Sequence, residues 1–70
     1  MKSVLATVSG RVVQCVATES GRVQRGDEIV KIESMKMEIP VESEVDGRVA
    51  RLLVKEGDEV QEGQVIAEIE

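Results

Sequence analysis

Short apolar runs, broken every few positions by glycine and by charged or polar residues, divide the chain into segments of strand length. Val and Ile together make up 18 of the 70 residues, and Phe, Tyr and Trp are absent. Branched aliphatic side chains suit a pleated, half-buried surface, so this pattern predicts an all-β domain with a thin aliphatic core between closely stacked sheets. We expect strands over residues 3–8, 11–17, 28–33, 37–41, 48–54 and 64–70, with very short strands at Val23 and Val60.

The second part of the sequence repeats the first at an offset of 37 residues. Two copies are too few for a solenoid, so the repeat predicts a closed, pseudo-two-fold structure in which each half completes the core of the other. We expect residues 1–70 to form a single domain, with half-repeats at about 10–33 and 47–70 and a separate hairpin at 33–38. The identical pairs are Gly10/Gly47, Arg11/Arg48, Val12/Val49, Glu19/Glu56, Val23/Val60, Gln24/Gln61, Gly26/Gly63, Ile29/Ile66, Ile32/Ile69 and Glu33/Glu70.

The predicted strands 28–33 and 37–41 are too close together for a loop, which places Met35 and Lys36 at the tip of a tight hairpin. Two-residue hairpin turns favour Asn or Gly because their central residues need positive φ, and neither residue type is present there. Such a conformation costs a non-glycine residue on the order of 1–3 kcal/mol, and strain of this kind collects at functional sites. The long apolar side chains of Met35 and Met37 also have nothing to pack against at a hairpin tip. The sequence therefore predicts that another protein recognises this tip.

Three further residues have mainly structural interpretations. Pro40 cannot donate a backbone hydrogen bond, so it should lie on an edge strand or at a strand end. Met37 begins a strand, and burial as a core filler is the alternative to recognition. Cys15 aligns with Leu52 in the repeat, which favours a half-buried hydrophobic residue over a reactive thiol.

Charge and residue types exclude several classes of function. The formal net charge of −5 and the lack of aromatic residues argue against a nucleic-acid partner. One cysteine and no histidine exclude an intrachain disulfide and leave no metal site or catalytic pair, so we do not expect an enzyme. No apolar run approaches the roughly 20 residues of a membrane helix, and no secretory leader is visible. We expect a cytoplasmic protein that does not bind membranes.

Residues 33–38, Glu-Ser-Met-Lys-Met-Glu, resemble the biotin attachment signature of biotinyl domains, the biotin carboxyl carrier modules within the biotin/lipoyl attachment family. In that family a Met-Lys-Met tripeptide presents the modified lysine, which corresponds to Lys36. Ser34 stands where the family usually has Ala. Residues 54–66 are similar to the second half of the family pattern, so the resemblance covers nearly the whole chain. It implies a flattened barrel or sandwich of two four-stranded antiparallel sheets with pseudo-two-fold symmetry, the barrel-sandwich hybrid.

The resemblance also implies a carrier function. A biotin protein ligase would join biotin covalently to Lys36, which is the cofactor-binding residue. The carrier would then shuttle the carboxyl group between the biotin carboxylase and carboxyltransferase sites of an acyl-CoA or 2-oxo acid carboxylase, and it would catalyse neither step itself. The residues expected to be recognised are Glu33, Ser34, Met35, Met37 and Glu38.

Several alternatives stay open from the sequence. Lipoyl domains share the fold but typically have Asp-Lys-Ala at the tip; Met35 and Met37 favour biotin here, with a lipoyl or dual biotin/lipoyl carrier as the alternative. A further alternative is an interaction module that carries no cofactor and only docks on a partner. The protruding thumb that some carrier proteins insert near positions 18–20 is replaced by a short turn. The chain is either a free-standing carrier or a module of a longer subunit.

Overall fold

Eight β-strands and no helix make up the computed structural model, which describes residues 1–70. The all-β prediction is therefore confirmed. In chain order the strands are β1 Lys2–Leu5, β2 Gly10–Cys15, β3 Arg22–Val23, β4 Glu28–Ser34, β5 Met37–Glu42, β6 Gly47–Leu52, β7 Glu59–Val60 and β8 Val65–Ile69.

The strands form two four-stranded antiparallel sheets, as the family resemblance implied. One sheet has the order β1-β8-β6-β3 and the other has the order β5-β4-β2-β7. Consecutive halves of the chain contribute strands to both sheets, so neither half closes a core alone. The resulting domain is elongated, with principal extents of 31 × 18 × 18 Å. Pro40 lies in β5, an edge strand, where its missing N–H leaves no ladder bond unmade.

The predicted strand ends were wrong at β1, β2 and β6, each of which stops earlier than expected. The N–H groups of Val16 and Ala17 both donate to the Ile29 carbonyl, which ends the regular ladder of β2 at Cys15 rather than at residue 17. Likewise β6 ends at Leu52 rather than at residue 54. The first strand ends at Leu5 rather than at residue 8. The next N–H group, that of Ala6, donates to the backbone carbonyl of Gln64, which lies just before β8.

The core consists almost wholly of residue pairs separated by 37 positions. Fifteen residues are buried, and all except Val54 fall into such pairs. Two of the pairs lie outside the repeat that the sequence suggested, which extends the equivalence to residues 2–33 and 39–70 and puts β1 in the place of β5. The pairs are Val4/Val41, Ala6/Ser43, Val12/Val49, Val23/Val60, Ile29/Ile66, Val30/Ala67 and Ile32/Ile69.

Two bulges let adjacent residues face the core. The register between β4 and β5 shifts between Glu28 and Val30, so that both Ile29 and Val30 are fully buried. In β8 the partner positions skip Ile66 in the same way, and Ile66 and Ala67 are both buried. Ile32 is also fully buried, so the bulge adds Ile29 to the core beside Val30 and Ile32.

Candidate functional site

The β4–β5 hairpin turns through two residues, Met35 and Lys36, as the sequence predicted. Ser34 ends β4 and pairs with Met37, the first residue of β5, so no further loop residues intervene. Met35 has a φ of 53° and Lys36 a φ of 66°, and positive φ at both central positions is the signature of a type I′ turn. Neither residue is glycine or asparagine, so the turn holds two residues in a strained backbone conformation at the end of a long hairpin.

The side chains of this turn are exposed to solvent. Met35 is 90% exposed and Met37 is 61% exposed, so the alternative that Met37 fills the core is wrong. Lys36 between them is also exposed. Large apolar side chains are usually shielded from water when they only stabilise a fold. The tip thus presents a primary amine between two flexible thioether side chains that the core does not use.

A row of charged side chains crosses the sheet beside the turn. Glu33 lies directly opposite Glu38 on one side and opposite Arg11 on the other, and Arg11 in turn lies opposite Glu59. All four are exposed. The sequence placed Glu33 and Glu38 next to the tip but missed Arg11 and Glu59, which come from distant strands.

The Lys36 amine is free of internal partners. The four ion pairs of the domain involve Lys2, Lys31, Arg48 and Arg51. Surface depressions occur elsewhere, and none is lined by residues 34–38. An amine in this position is accessible to an incoming reagent from many directions.

The domain offers few of the side chains that catalysis commonly uses. It contains no histidine, and no three His, Cys, Asp or Glu side chains are grouped so that they could hold a metal ion. No helix long and apolar enough to cross a membrane is present.

Cys15 is the only thiol and lies away from the tip. It is half-buried beside the core, and its Sγ donates to the Val54 carbonyl at 3.8 Å. Burial raises the pKa of this thiol, and the carboxylates of Glu56 and Asp58 raise it further. The prediction of an unreactive, half-buried residue agrees with this environment.

Comparisons with known proteins identify relatives of this architecture. The biotin/lipoyl family model, described as "Biotin-requiring enzyme", matches residues 2–69. No curated protein sequence matches the chain. Among solved structures, urea carboxylase of Kluyveromyces lactis is 34% identical with a TM-score of 0.92 over 97% of the chain. A single-chain, multi-domain long-chain acyl-CoA carboxylase is 30% identical with a TM-score of 0.87 over 94% of the chain.

A lipoyl domain is also similar. The lipoyl domain of the 2-oxoglutarate dehydrogenase complex from Azotobacter vinelandii is 25% identical with a TM-score of 0.76, and the match covers 97% of the chain and 96% of that domain. By contrast, the chain spans only 6% and 7% of the lengths of the two carboxylases.

Proposed function

The chain belongs to the biotin/lipoyl attachment family, and from this premise we propose that it carries biotin covalently on Lys36. The observation that supports this most directly is the exposed side chain of Lys36, which lies between Met35 and Met37. The backbone of Lys36 has a φ of 66° and forms part of a two-residue turn. We take residues 1–70 as one attachment domain and residues 33–38 as its attachment hairpin.

Attachment requires one bond to form and one to break. The neutral Lys36 amine attacks the carboxyl carbon of biotin activated as its adenylate; an amide forms, AMP leaves and the amine loses a proton. Exposed lysine side chains are almost wholly protonated at neutral pH, so a base is needed. The domain has no histidine, and the carboxylates of Glu33 and Glu38 beside the turn favour the ammonium form, so a biotin protein ligase supplies the base.

The residues around Lys36 serve in recognition. Met35 and Met37 offer apolar surface to the ligase, and Ser34 leaves room beside the turn. Glu33 and Glu38 give the tip negative charge, which is complementary to a basic ligase surface and increases the association rate more than the affinity. A fixed turn also prevents the hairpin from folding over the amine.

Biotin is favoured over lipoate by the tip sequence and by the relatives. Met35 and Met37 flank the lysine, and the two carboxylases are 34% and 30% identical, compared with 25% for the lipoyl domain. The similarity to the lipoyl domain over nearly its whole length supports lipoyl or dual attachment as the second candidate.

The attached biotin supplies a ureido nitrogen that accepts and donates a carboxyl group. The domain contributes position, because tethering makes each transfer effectively intramolecular at both partner sites. Those sites are a biotin carboxylase and a carboxyltransferase of an acyl-CoA or 2-oxo acid carboxylase. The domain catalyses neither reaction.

Intact-mass spectrometry after incubation with a biotin ligase, and separately with a lipoyl ligase, tests the assignment. We expect the mass of one biotinyl group on the wild type, none on Lys36→Arg, and unchanged labelling of the control Lys55→Arg. Lys36→Arg keeps the charge and the exposed stem, so loss of labelling would not reflect unfolding. Biotin on Lys36→Arg, or preferential lipoylation of the wild type, would contradict the proposal.

The same assay tests the recognition residues. Met35→Gln and Met37→Gln should each slow labelling by about 10-fold or more while leaving the thermal transition unchanged, as for truncation of an interface hot spot. An unchanged rate would remove the methionines from the recognition surface.

A further inference from the structure

The end of the domain opposite Lys36 differs in charge from the hairpin tip. The β4–β5 hairpin closes at Lys36 and opens at the Glu28/Glu42 pair. Beyond that pair, the Gly26 N–H donates to the backbone carbonyl of Ser43, so the two chain segments stay hydrogen-bonded further from the tip. Arg25 lies in this outer turn, and Arg22 and Arg48 lie on the strands beside it. We call Arg22, Arg25 and Arg48 the basic end.

One pair of strand positions shows the difference directly. At the tip, Arg11 of β2 lies opposite Glu59 of β7, an attractive pair. At the equivalent place in the other half, Arg48 of β6 lies opposite Arg22 of β3, a repulsive pair. Like charges directly opposite each other in an antiparallel ladder destabilise it. The fold therefore accommodates an attractive pair at this position but holds a repulsive one at the basic end.

The neighbouring turn shows the same reversal. Arg25 stands where the other half has Glu62, and both are exposed. The backbone at both turns is held by equivalent hydrogen bonds: the Arg25 N–H donates to Asp46 Oδ1 at 2.8 Å, and the Glu62 N–H donates to Ser9 Oγ at 3.0 Å. Because these bonds fix the turns through the backbone, the fold does not require a particular side-chain charge at position 25.

Two of the three guanidinium groups have no internal partner. The Arg48 Nε lies 3.4 Å from the carboxylate of Glu70, whereas Arg22 and Arg25 make no ion pair. The nearby Asp46 carboxylate accepts a backbone hydrogen bond. The chain has 14 acidic residues against nine basic ones, so carboxylates are plentiful, yet none pairs with these two arginines.

We propose that the basic end is a docking surface for an acidic patch on a partner protein. Guanidinium groups bind carboxylates in a bidentate manner. Arg22 opposite Arg48, with Arg25 in the neighbouring turn, matches a small cluster of Asp or Glu side chains. A nucleic acid fits less well, because the chain as a whole is acidic and offers no aromatic side chain for base stacking.

The position of this surface suits it to hold the carrier near its enzymes, an inference that rests on the proposed carrier function. The long dimension of the domain is 31 Å. Lys36 closes one end of the β4–β5 hairpin, and Arg25 lies in the turn beyond the other end. A partner bound at the basic end leaves Lys36 exposed. Docking there would hold the carrier close to its enzymes while the modified lysine remains free to enter their active sites.

The binding test uses the ¹⁵N-labelled 70-residue protein and a synthetic oligoglutamate peptide at low ionic strength. We expect chemical-shift changes centred on Arg22, Arg25 and Arg48 that diminish as salt is added. Changes centred on the tip, or spread evenly over all basic residues, would overturn the proposal. Tighter binding of an oligonucleotide than of oligoglutamate under the same conditions would also overturn it.

Two variants with the same change in net charge supply the control. Arg22→Glu copies Glu59 and should weaken oligoglutamate binding by at least about 5-fold, whereas Lys55→Glu, in an exposed turn, should weaken it by less than about 2-fold. Equal weakening by both would reduce the effect to net charge and overturn the proposal. The melting temperature of Arg22→Glu should rise slightly, because the introduced carboxylate then faces Arg48, so weaker binding would not reflect unfolding.

Labelling by the ligase separates this proposal from the carrier assignment. Arg22→Glu should be biotinylated at the wild-type rate, because it changes only the end remote from Lys36. If the wild type fails to take biotin but oligoglutamate still binds the basic end, the carrier function fails and the docking surface stands.

Discussion

The two halves of the domain share a buried framework but differ at the ends of their last strands. In the first half, β4 continues through Met35 and Lys36 into β5, whereas in the second half the equivalent strand β8 pairs with β1 without a connecting turn. Seven of the buried positions in one half have buried equivalents in the other, all 37 residues away. The framework is therefore complete without the hairpin tip.

This difference separates the residues that hold the fold from those that are free for recognition. Positions with the same environment in both halves are fixed by packing or by backbone geometry. The places where the halves diverge in connection or in charge are exposed: the turn at Met35 and Lys36, and the charges at Arg22 and Arg25 against Glu59 and Glu62. Substitutions that exchange residues between the halves test this division.

The largest effect is expected where both halves depend on the same close approach. A Cβ added at Gly10 would overlap the Glu33 carbonyl oxygen and lie 2.9 Å from Ile32 Cγ2; one added at Gly47 would overlap the Glu70 carbonyl oxygen and lie 2.8 Å from Ile69 Cγ2. Gly10→Ala and Gly47→Ala should each lower the free energy of unfolding by about 3 kcal/mol. Urea titrations followed by far-ultraviolet circular dichroism measure this.

Gly26→Ala provides the control for these two substitutions. Its Cβ would meet no atom within 4 Å, but its φ is +93°, so only backbone strain of about 1 kcal/mol is expected. Gly10→Ala should also slow labelling of Lys36, because it displaces Glu33 at the base of the turn, whereas Gly47→Ala should not. Equal losses in the free energy of unfolding for all three variants would show that the close packing of Gly10 on Glu33 and of Gly47 on Glu70 is unimportant.

The sequence allowed the strands, the paired core and the strained tip to be predicted, because alternating Val and Ile, the 37-residue repeat and the short spacing around Lys36 are local signals. The bulges at Ile29 and Ile66 could not be predicted, because a bulge is defined by the hydrogen bonds of the partner strand. For the same reason, the charged row beside the tip was only half predicted: Arg11 and Glu59 reach it through pairing between distant strands.

An intermediate effect is expected at a turn where the halves use different residues for the same conformation. Ser20 has a φ of 70° and Gly57 a φ of 94°, and their N–H groups make equivalent bonds of 2.8 Å to Val49 and Val12. Serine is strained in this region and glycine is not. Ser20→Gly should therefore raise the free energy of unfolding by about 0.5 kcal/mol, and Gly57→Ser should lower it by about 1 kcal/mol.

The double exchange, Ser20→Gly with Gly57→Ser, sharpens this prediction. If the two turns are independent, its effect on the free energy of unfolding should equal the sum of the single effects. A loss of stability in Ser20→Gly would show that the serine side chain contributes more than its backbone strain costs.

The smallest effect concerns Cys15, which the second half replaces by Leu52. Burial, and then the charges of Glu56 and Asp58, raise the pKa of the Cys15 thiol in the folded state. Above about pH 8.5, where free thiols ionise, the unfolded chain therefore loses this proton while the folded protein keeps it. The unfolded state then binds fewer protons, so the stability contributed by the neutral thiol is lost as the pH rises from the unfolded pKa towards the raised folded pKa.

Unfolding free energies measured from pH 7 to 10 should fall more steeply for the wild type than for Cys15→Leu and Cys15→Ala. Parallel curves for all three proteins would show that the thiol titrates alike in both states, while a constant offset between the variants would report only the packing difference between Leu and Ala.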